Sequence, residues 1–372
     1  MRIAVDAMGG DHAPRVVVEG ALSAAGELGV EIVLVGLQPA LERELARHAP
    51  KTSSITIVPA SEVVGMDESP SVALKKRDSS MTVAFELMKR NEVSAVVSAG
   101  NSGAFMATGM FVLGNLLRVE RPAILVVVPT PGKGTVIIDA GANVECKQRH
   151  LVQFALMGSI YAERVLGIPR PRVGVLSNGE EEGKGTDLTR AVREQLSSTP
   201  LHCIGYVEGR DISSGGVDVV VTDGFTGNVT LKTMEGVASF VVQTLKEAFR
   251  QSFLSRLGLL LCRGALRTAF SRLDYAEYGG APLLGLEGVT IIAHGGSNPK
   301  AIKNAIRMAR EAVTHDVNQH IVKALEDQPE LWGERGENVT RKIWKRFQSK
   351  IGSLGGSPSV PGERDDKDEG KG

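Results

Sequence analysis

The 372-residue chain is short of several things, and each scarcity closes off a class of function. Its three cysteines, Cys146, Cys203 and Cys262, stand far apart with no C-x-x-C spacing. That argues against a disulfide framework or a zinc centre and points to a reducing cytoplasm. Lys and Arg number 43, and Asp and Glu number 43, so net charge is absent. Nothing therefore draws the whole molecule to nucleic acid, and an anionic partner must be met by a local patch. No run approaches the ~18 apolar residues of a membrane span. Arg2 to Val5 is cut off by Asp6 too early for a signal sequence. Aromatic residues make up only 4%. What is plentiful is glycine, 43 residues in a chain that is 42% hydrophobic. That composition suits a large α/β core with many tight strand–helix turns.

The first fourteen residues, MRIAVDAMGGDHAP, set the pattern. A short apolar strand runs into Asp6, Gly9, Gly10 and Asp11, and Pro14 then suits the first turn of a helix through Val16, Val17, Ala21, Leu22 and Ala25. Strand, tight polar loop and helix N-terminus is the arrangement that brings backbone to a small ligand. Further β-branched runs follow at Ile32–Val35, Ile55–Val58, Ala95–Ser98, Ile124–Val128, Val136–Ile138, Val173–Leu176, Val217–Thr222 and Thr290–Ala293. Helical patterns lie between several of them, at Pro39–His48, Thr82–Asn91, Val144–Leu166, Asp187–Leu196 and Gly227–Phe249. This alternation predicts an α/β fold with buried parallel strands. The last segment, 352–372, is Gly, Ser, Pro and charge, and its composition predicts disorder.

Five of the strands end in polar, glycine-rich loops: Gly100–Ala104, Asp139–Asn143, Ser177–Gly185, Asp223–Asn228 and His294–Asn298. In a parallel sheet all five open on one edge and line one cleft with backbone N–H groups, amides and hydroxyls. Such a lining suits a small anion. No phosphate-loop or dinucleotide fingerprint is present, no G-x-S-x-G elbow offers a serine nucleophile, and no histidines pair at metal spacing. No cofactor and no metal are expected. Cys146 reads as a small buried thiol. Lys75–Ser80 reads either as a solvated basic turn with a serine helix cap or as an anion contact at the cleft mouth.

From Lys246 to Tyr275 the chain is apolar and basic together, with six bases and two acids. Phe253, Leu257, Leu260 and Leu261 recur at helical spacing beside Arg256 and Arg263. The composition fits a helix lying on an anionic bilayer surface, and equally a dimerisation or lobe-packing helix.

Taken together, Asp6–Asp11 (DAMGGD), Ala73–Met81 (ALKKRDSSM), Gly100–Ala104, Ser177–Lys184 and Asp218–Asn228 (DVVVTDGFTGN) resemble the acyl-ACP:phosphate acyltransferase family, PlsX. The resemblance covers residues 1 to about 340. It implies an open three-layer α/β/α fold like that of isopropylmalate dehydrogenases and phosphotransacetylases, spanning 1–345 with the amphipathic segment 246–275 protruding from it. It implies transfer of an acyl group from acyl carrier protein to inorganic phosphate, feeding glycerol-3-phosphate acylation in phospholipid synthesis. It also implies a homodimer, cytoplasmic and peripherally bound to the membrane, with the downstream glycerol-3-phosphate acyltransferase as a further partner.

Phosphate would itself be the nucleophile in that reaction, so neutral donors are what the cleft needs. Asn101, Ser102, Asn143 and Asn178 are the residues expected to cradle phosphate or the oxyanion, with His294 as the candidate for proton movement. Lys184, Asp223, Asn228, Ser297 and Asn298 complete the substrate-facing set. Carboxylates repel phosphate, so Asp6, Asp11, Asp139 and Asp223 suit loop anchoring better. Two rival readings remain open. One is a nicotinamide- and Mg²⁺-dependent decarboxylating dehydrogenase using Asp218 and Asp223. The other is a non-enzymatic scaffold at a membrane surface.

Overall fold

The computed structural model describes residues 1–48, 54–250, 262, 264 and 275–328. The membrane candidates Phe253, Arg256, Leu257, Leu260, Leu261 and Arg263, and the tail 352–372, lie outside the described residues. The strands are β1 Arg2–Asp6, β2 Glu31–Gly36, β3 Ile55–Pro59, β4 Ala95–Ser98, β5 Ala123–Val128, β6 Thr135–Ile138, β7 Arg172–Leu176, β8 His202–Val207, β9 Val219–Val221, β10 Ala281–Leu284 and β11 Val289–Ile292. They form one sheet in the order β3-β2-β1-β4-β11-β10-β5-β6-β9-β7-β8.

Helices cover both faces, giving the three layers expected. On the half containing β1, β2 and β4, helices Arg15–Leu28 and Pro299–Thr314 bury one face, where Val18, Ala21, Ile302 and Ile306 meet Ile3, Val5, Leu34 and Val97. Gly20 lets these two helices touch: a Cβ there would lie 2.6 Å from Ile302 Cβ. Helices Ser80–Lys89 and Ser102–Val112 cover the other face through Met81, Phe85 and Phe105. On the second half, helices Gln148–Arg164, Asp187–Ser197 and Val317–Asp327 enclose the largest core cluster, with Phe154, Leu196 and Ile321 against Leu125, Ile138 and Val219. Among the described residues, its opposite face carries a small cluster, including Val128, Ile137 and Val220, touched by Met234 of the long helix Gly224–Arg250.

Strands β10 and β11, β10 and β5, and β5 and β6 pair antiparallel, while the remaining pairs are parallel. The half-sheet β6-β9-β7-β8 therefore runs opposite to β3-β2-β1-β4-β11. This corrects the expectation that all five polar loops open on one edge. The loops after β4 and β11 leave one edge, and those after β6, β7 and β9 leave the other. Only six residues, PTPGKG, join β5 to β6, too few for a parallel crossover.

Candidate functional site

Strand β5 lies in the middle of the sheet between β10 and β6. Its Leu125 and Val127 turn into the largest core cluster, while Ile124 and Val126 point to the other face and stay only half-buried. A central strand of an α/β sheet is ordinarily covered on both faces. Here a cavity of about 760 Å³ stands over Ile124, Val126 and Val128. The helix Gly224–Arg250 walls it with Asn228, Leu231, Met234 and Ala238, whose spacing of three and four places them on one helix face. Its polar border is formed by Asp11, Gly100–Gly103 and His294–Gly295, with Met66 beside them.

Asn101 explains how that border is held. Its Oδ1 accepts from Ala104 N at 2.9 Å, capping the helix Ser102–Val112. Its Nδ2 donates to Met66 O at 2.8 Å and Glu68 O at 3.0 Å. The amide is thus committed to joining the helix start to the Met66–Glu68 turn. Lys76 fastens the same turn from below, donating to Val63 O and to Glu68 at 2.6 Å. Ser79, in the same basic stretch, is the cap of the helix Ser80–Lys89. Ser102 and Gly103, the first residues of the helix Ser102–Val112, line the cavity, and a helix start offers unpaired N–H groups and the positive end of the helix dipole.

Across from this helix start, His294 Nδ1 accepts from Gly296 N at 3.1 Å. That bond places the proton of the neutral imidazole on Nε2. Asp6 is buried and receives Ser98 Oγ at 2.7 Å, and Ser98 Oγ in turn receives Gly100 N at 3.0 Å. Burial pushes the Asp6 carboxyl up, and hydrogen bonds from Ser80, Ser98, Met8 and Gly9 oppose that shift. The opening glycine loop is scaffold: a Cβ on Gly9 would lie 2.6 Å from Gly100 N, so only glycine lets the two loops approach.

The far end of the cavity is built on Asp139, which is fully buried. Its carboxylate receives Ile124 N, Gly141 N, Ala142 N, Asn143 N and Asn143 Nδ2 at 2.7–3.1 Å. Burial raises its pKa and these donors oppose the rise. The same loop receives the long helix: Gly224 N donates to Asn143 O at 2.7 Å, and a Cβ on Gly227 would overlap the Asp139 carbonyl. Gly141 and Asn228 reach the cavity from this end.

Of the residues expected from sequence, Asn101, Ser102, Asn228 and His294 line the cavity together. Asn143 is buried beside it, donating to Asp139 and to Pro122 O at 2.8 Å. Asn178 closes its own loop by accepting from Gly185 N at 3.0 Å, and Lys184 is exposed in that loop. Asp223 caps the long helix through Thr226, and Asn298 caps the helix Pro299–Thr314 through Ala301 N. Ser297 is buried, with its N–H on His294 O. None of these six is among the cavity-lining residues. Sequence reasoning missed the β5 floor, because AILVVV reads as a strand covered on both faces. It also missed Met66 and the Lys232–Glu235 ion pair, 2.9 Å long, on the wall.

Cys146 lies beside Asp139 and Asp223. Burial, reinforced by those two carboxylates, pushes its thiol up to about 11. Among the described residues, no three His, Cys, Asp or Glu cluster to hold a metal, and no helix is long and apolar enough to cross a membrane.

Comparison with known proteins gives a consistent picture. The family model described as fatty acid synthesis protein matches residues 1–320. A phosphate acyltransferase of Geotalea daltonii is 55% identical over 340 residues, covering 91% of this chain and 98% of that protein. A phosphate acyltransferase of Geobacter sulfurreducens is 54% identical over 327 residues, covering 88% and 94%. Among solved structures, a phosphotransacetylase from Streptococcus pyogenes superposes with a TM-score of 0.58 at 15% identity, covering 86% of this chain and 94% of that one. A 4-hydroxythreonine-4-phosphate dehydrogenase from Klebsiella pneumoniae follows at 0.51 and 16%, covering 84% and 99%. At these identities the likeness to both is one of fold.

Proposed function

The chain belongs to the fatty acid synthesis protein family, and from that premise we propose that it transfers the acyl group of acyl-acyl-carrier-protein to inorganic phosphate. The products are acyl phosphate and free carrier protein. The observation that carries this reading is the cavity itself, which joins an apolar floor on β5 to a helix N-terminus bordered by glycine, serine and histidine.

A phosphate oxygen attacks the thioester carbon, the carbonyl oxygen becomes an oxyanion, and the C–S bond then breaks. Sulfur departs with the bonding pair and takes up a proton. No protein nucleophile enters, which agrees with a Cys146 thiol held protonated. Ser102 Oγ and the N–H groups of Ser102 and Gly103 hold phosphate, and confinement of both reactants supplies much of the rate. The backbone N–H groups of the same helix start lie nearest the attacked carbonyl and serve its oxyanion as well, while Asn228 lines the Asp139 end of the cavity. The proton that hydrogenphosphate gives up on becoming the acyl phosphate is the one the sulfur takes up, with His294 at the cavity border to relay it. Asn101 positions the phosphate end through its three hydrogen bonds, and Asn143 does the same for the Asp139 loop. Asn178, Lys184, Asp223, Ser297 and Asn298 shape surrounding loops and helix starts.

The same reading makes the protein a homodimer that works in the cytoplasm at the surface of an anionic membrane and supplies a glycerol-3-phosphate acyltransferase. Support comes from the long helix, where only Gly224 and Gly227 are buried and Phe240 is 70% exposed beside exposed Val237 and Val241. The dehydrogenase reading draws no comparable support. Arg172 clamps Asp218 at 2.9 and 3.0 Å, and Asp223 is spent on its helix cap.

Hexadecanoyl carrier protein mixed with phosphate and the enzyme is expected to yield a product that hydroxylamine traps as hydroxamate. Ser102→Ala should raise the phosphate KM by about tenfold, the ~1.4 kcal/mol of a hydrogen bond to a charged group. An unaltered phosphate KM would remove the helix start as the phosphate site.

A further inference from the structure

We infer that the acyl chain lies along β5, between its uncovered face and the inner stripe of the long helix, and that Ala238 and Met234 set the length of chain accepted. The inference rests on the acyl-transfer reading above and goes further by assigning the specificity-determining residues.

The floor is made by alternate residues of one strand. Ile124 and Val126 face the cavity half-buried while their neighbours Leu125 and Val127 are in the core. From Ile124 to Val128 the floor runs about 13 Å, at ~3.3 Å per strand residue. Opposite it, Leu231, Met234 and Ala238 recur at intervals of three and four, a continuous apolar stripe on one helix face. The trough is thus long, narrow and apolar on two sides.

Polar groups gather mostly at its borders, with Asn228 at the Asp139 end of the helix stripe. The helix start at Ser102, the Asp11 carboxylate and His294 border one side of the cavity, and Lys232 on the wall is paired with Glu235. An occupant fitting this arrangement has a reactive polar end and a long tail without hydrogen-bonding groups. A planar or multiply hydroxylated ligand would leave its donors and acceptors unmatched against Val126, Leu231 and Met234, at a cost in affinity. A fatty acyl thioester matches both ends.

Two wall residues are placed to measure the tail. Met234 packs against the small cluster that contains Val128 and Ile137 and also lines the cavity, so its side chain stands where the long helix meets the sheet. Ala238 lies one turn further along and is the small residue of the stripe, leaving room where a larger side chain would close the trough. Each methylene added within the trough should improve kcat/KM about fourfold, which is ~0.8 kcal/mol of apolar burial converted at ~1.4 kcal/mol per decade. Beyond the trough's end the gain should stop.

The test is a series of carrier-protein thioesters from hexanoyl to octadecanoyl, with acyl phosphate measured for each. Ala238→Phe is expected to lower the kcat/KM ratio of hexadecanoyl to octanoyl substrate by at least about tenfold, the size of a few lost methylene contacts. Met234→Ala is expected to move the optimum the opposite way, toward longer chains, and stands on its own if the first variant fails to fold. Ser239→Phe, exposed on the same helix and outside the cavity lining, is the control. The ratio compares substrates on one enzyme, so any effect on carrier docking cancels. Equal ratios in wild type, Ala238→Phe and Met234→Ala would overturn the proposal while leaving acyl transfer intact. A wild-type enzyme that makes acyl phosphate from no chain length would overturn acyl transfer, and the proposal with it.

Discussion

Asn101 illustrates how chemistry and architecture compete for a single side chain. Its residue type suggested a donor to phosphate, yet its carbonyl oxygen and its amide are spent on Ala104, Met66 and Glu68. Ser102, the next residue, lines the cavity beside it. Cys146 makes the complementary point. Burial and two nearby carboxylates raise its pKa to about 11, so at neutral pH it is almost wholly thiol, and thiol is a poor nucleophile. The expected outcome is slow alkylation by iodoacetamide at pH 7.5, with Cys146→Ser retaining acyl phosphate formation. Rapid alkylation with matched loss of activity would show that the thiol takes part. Both outcomes of residue type were half-legible in sequence. The loop and the residues were visible, but which atoms the local structure had already claimed depends on partners 33 and 35 residues away, which spacing does not disclose.

The long helix Gly224–Arg250 is held at its N-terminal end and bears on the cavity with one stripe. Gly224 and Gly227 let it close onto the Asp139–Asn143 loop, whose geometry is fixed by five donors on one carboxylate. Gly227→Ala would drive a methyl group into the Asp139 carbonyl, so either the helix tilts away or the loop shifts. A loss of about 1–3 kcal/mol is expected, the usual cost of overpacking, read as a lower urea midpoint. Activity should fall further than stability, because Asn228 and Leu231 would move with the helix. A variant of wild-type stability and rate would mean that the contact tolerates a side chain. The helix was read from sequence at nearly its observed extent. Helix Ser102–Val112 was not, because SGAFMATGMFV carries two glycines and little amphipathic contrast. Strand β10 was missed because Pro282 argues against a strand.

Across the molecule, those omissions had a topological consequence. Without β10, and with the β5–β6 hairpin read as two parallel strands, the sequence suggested one edge and one ring of loops. The layers, most strand positions and the anchoring roles of Asp6, Asp139 and Asp223 were nonetheless legible, since these follow from local alternation and from charge, whereas Asp11, also expected to anchor, lines the cavity. Strand direction does not, because antiparallel and parallel neighbours carry the same β-branched runs. The second half-sheet, β6-β9-β7-β8, is braced by Arg172, which grips Asp218 through two side-chain hydrogen bonds while its own N–H adds a third. Burial raises the Asp218 pKa, but those bonds and the Arg172 charge outweigh it, so the folded value lies below the unfolded one. The resulting stability is present above the ordinary aspartate pKa of about 3.9 and is lost as pH falls through the lower folded value. Asp218→Asn should therefore cost about 1 kcal/mol at pH 7, allowing for partial exposure. That difference should shrink toward zero below pH 3; a constant difference from pH 7 to pH 3 would mean that the charge is not what stabilises.

The claim that organises the whole structure is that inorganic phosphate attacks an acyl thioester held over β5. The most direct measurement mixes hexadecanoyl carrier protein with the enzyme, with and without phosphate, and quantifies free carrier thiol and acyl phosphate together. The two should appear in equal amounts, only when phosphate is present, with no acyl group left on the protein by mass. Thiol release without phosphate, or an acylated enzyme, would contradict it.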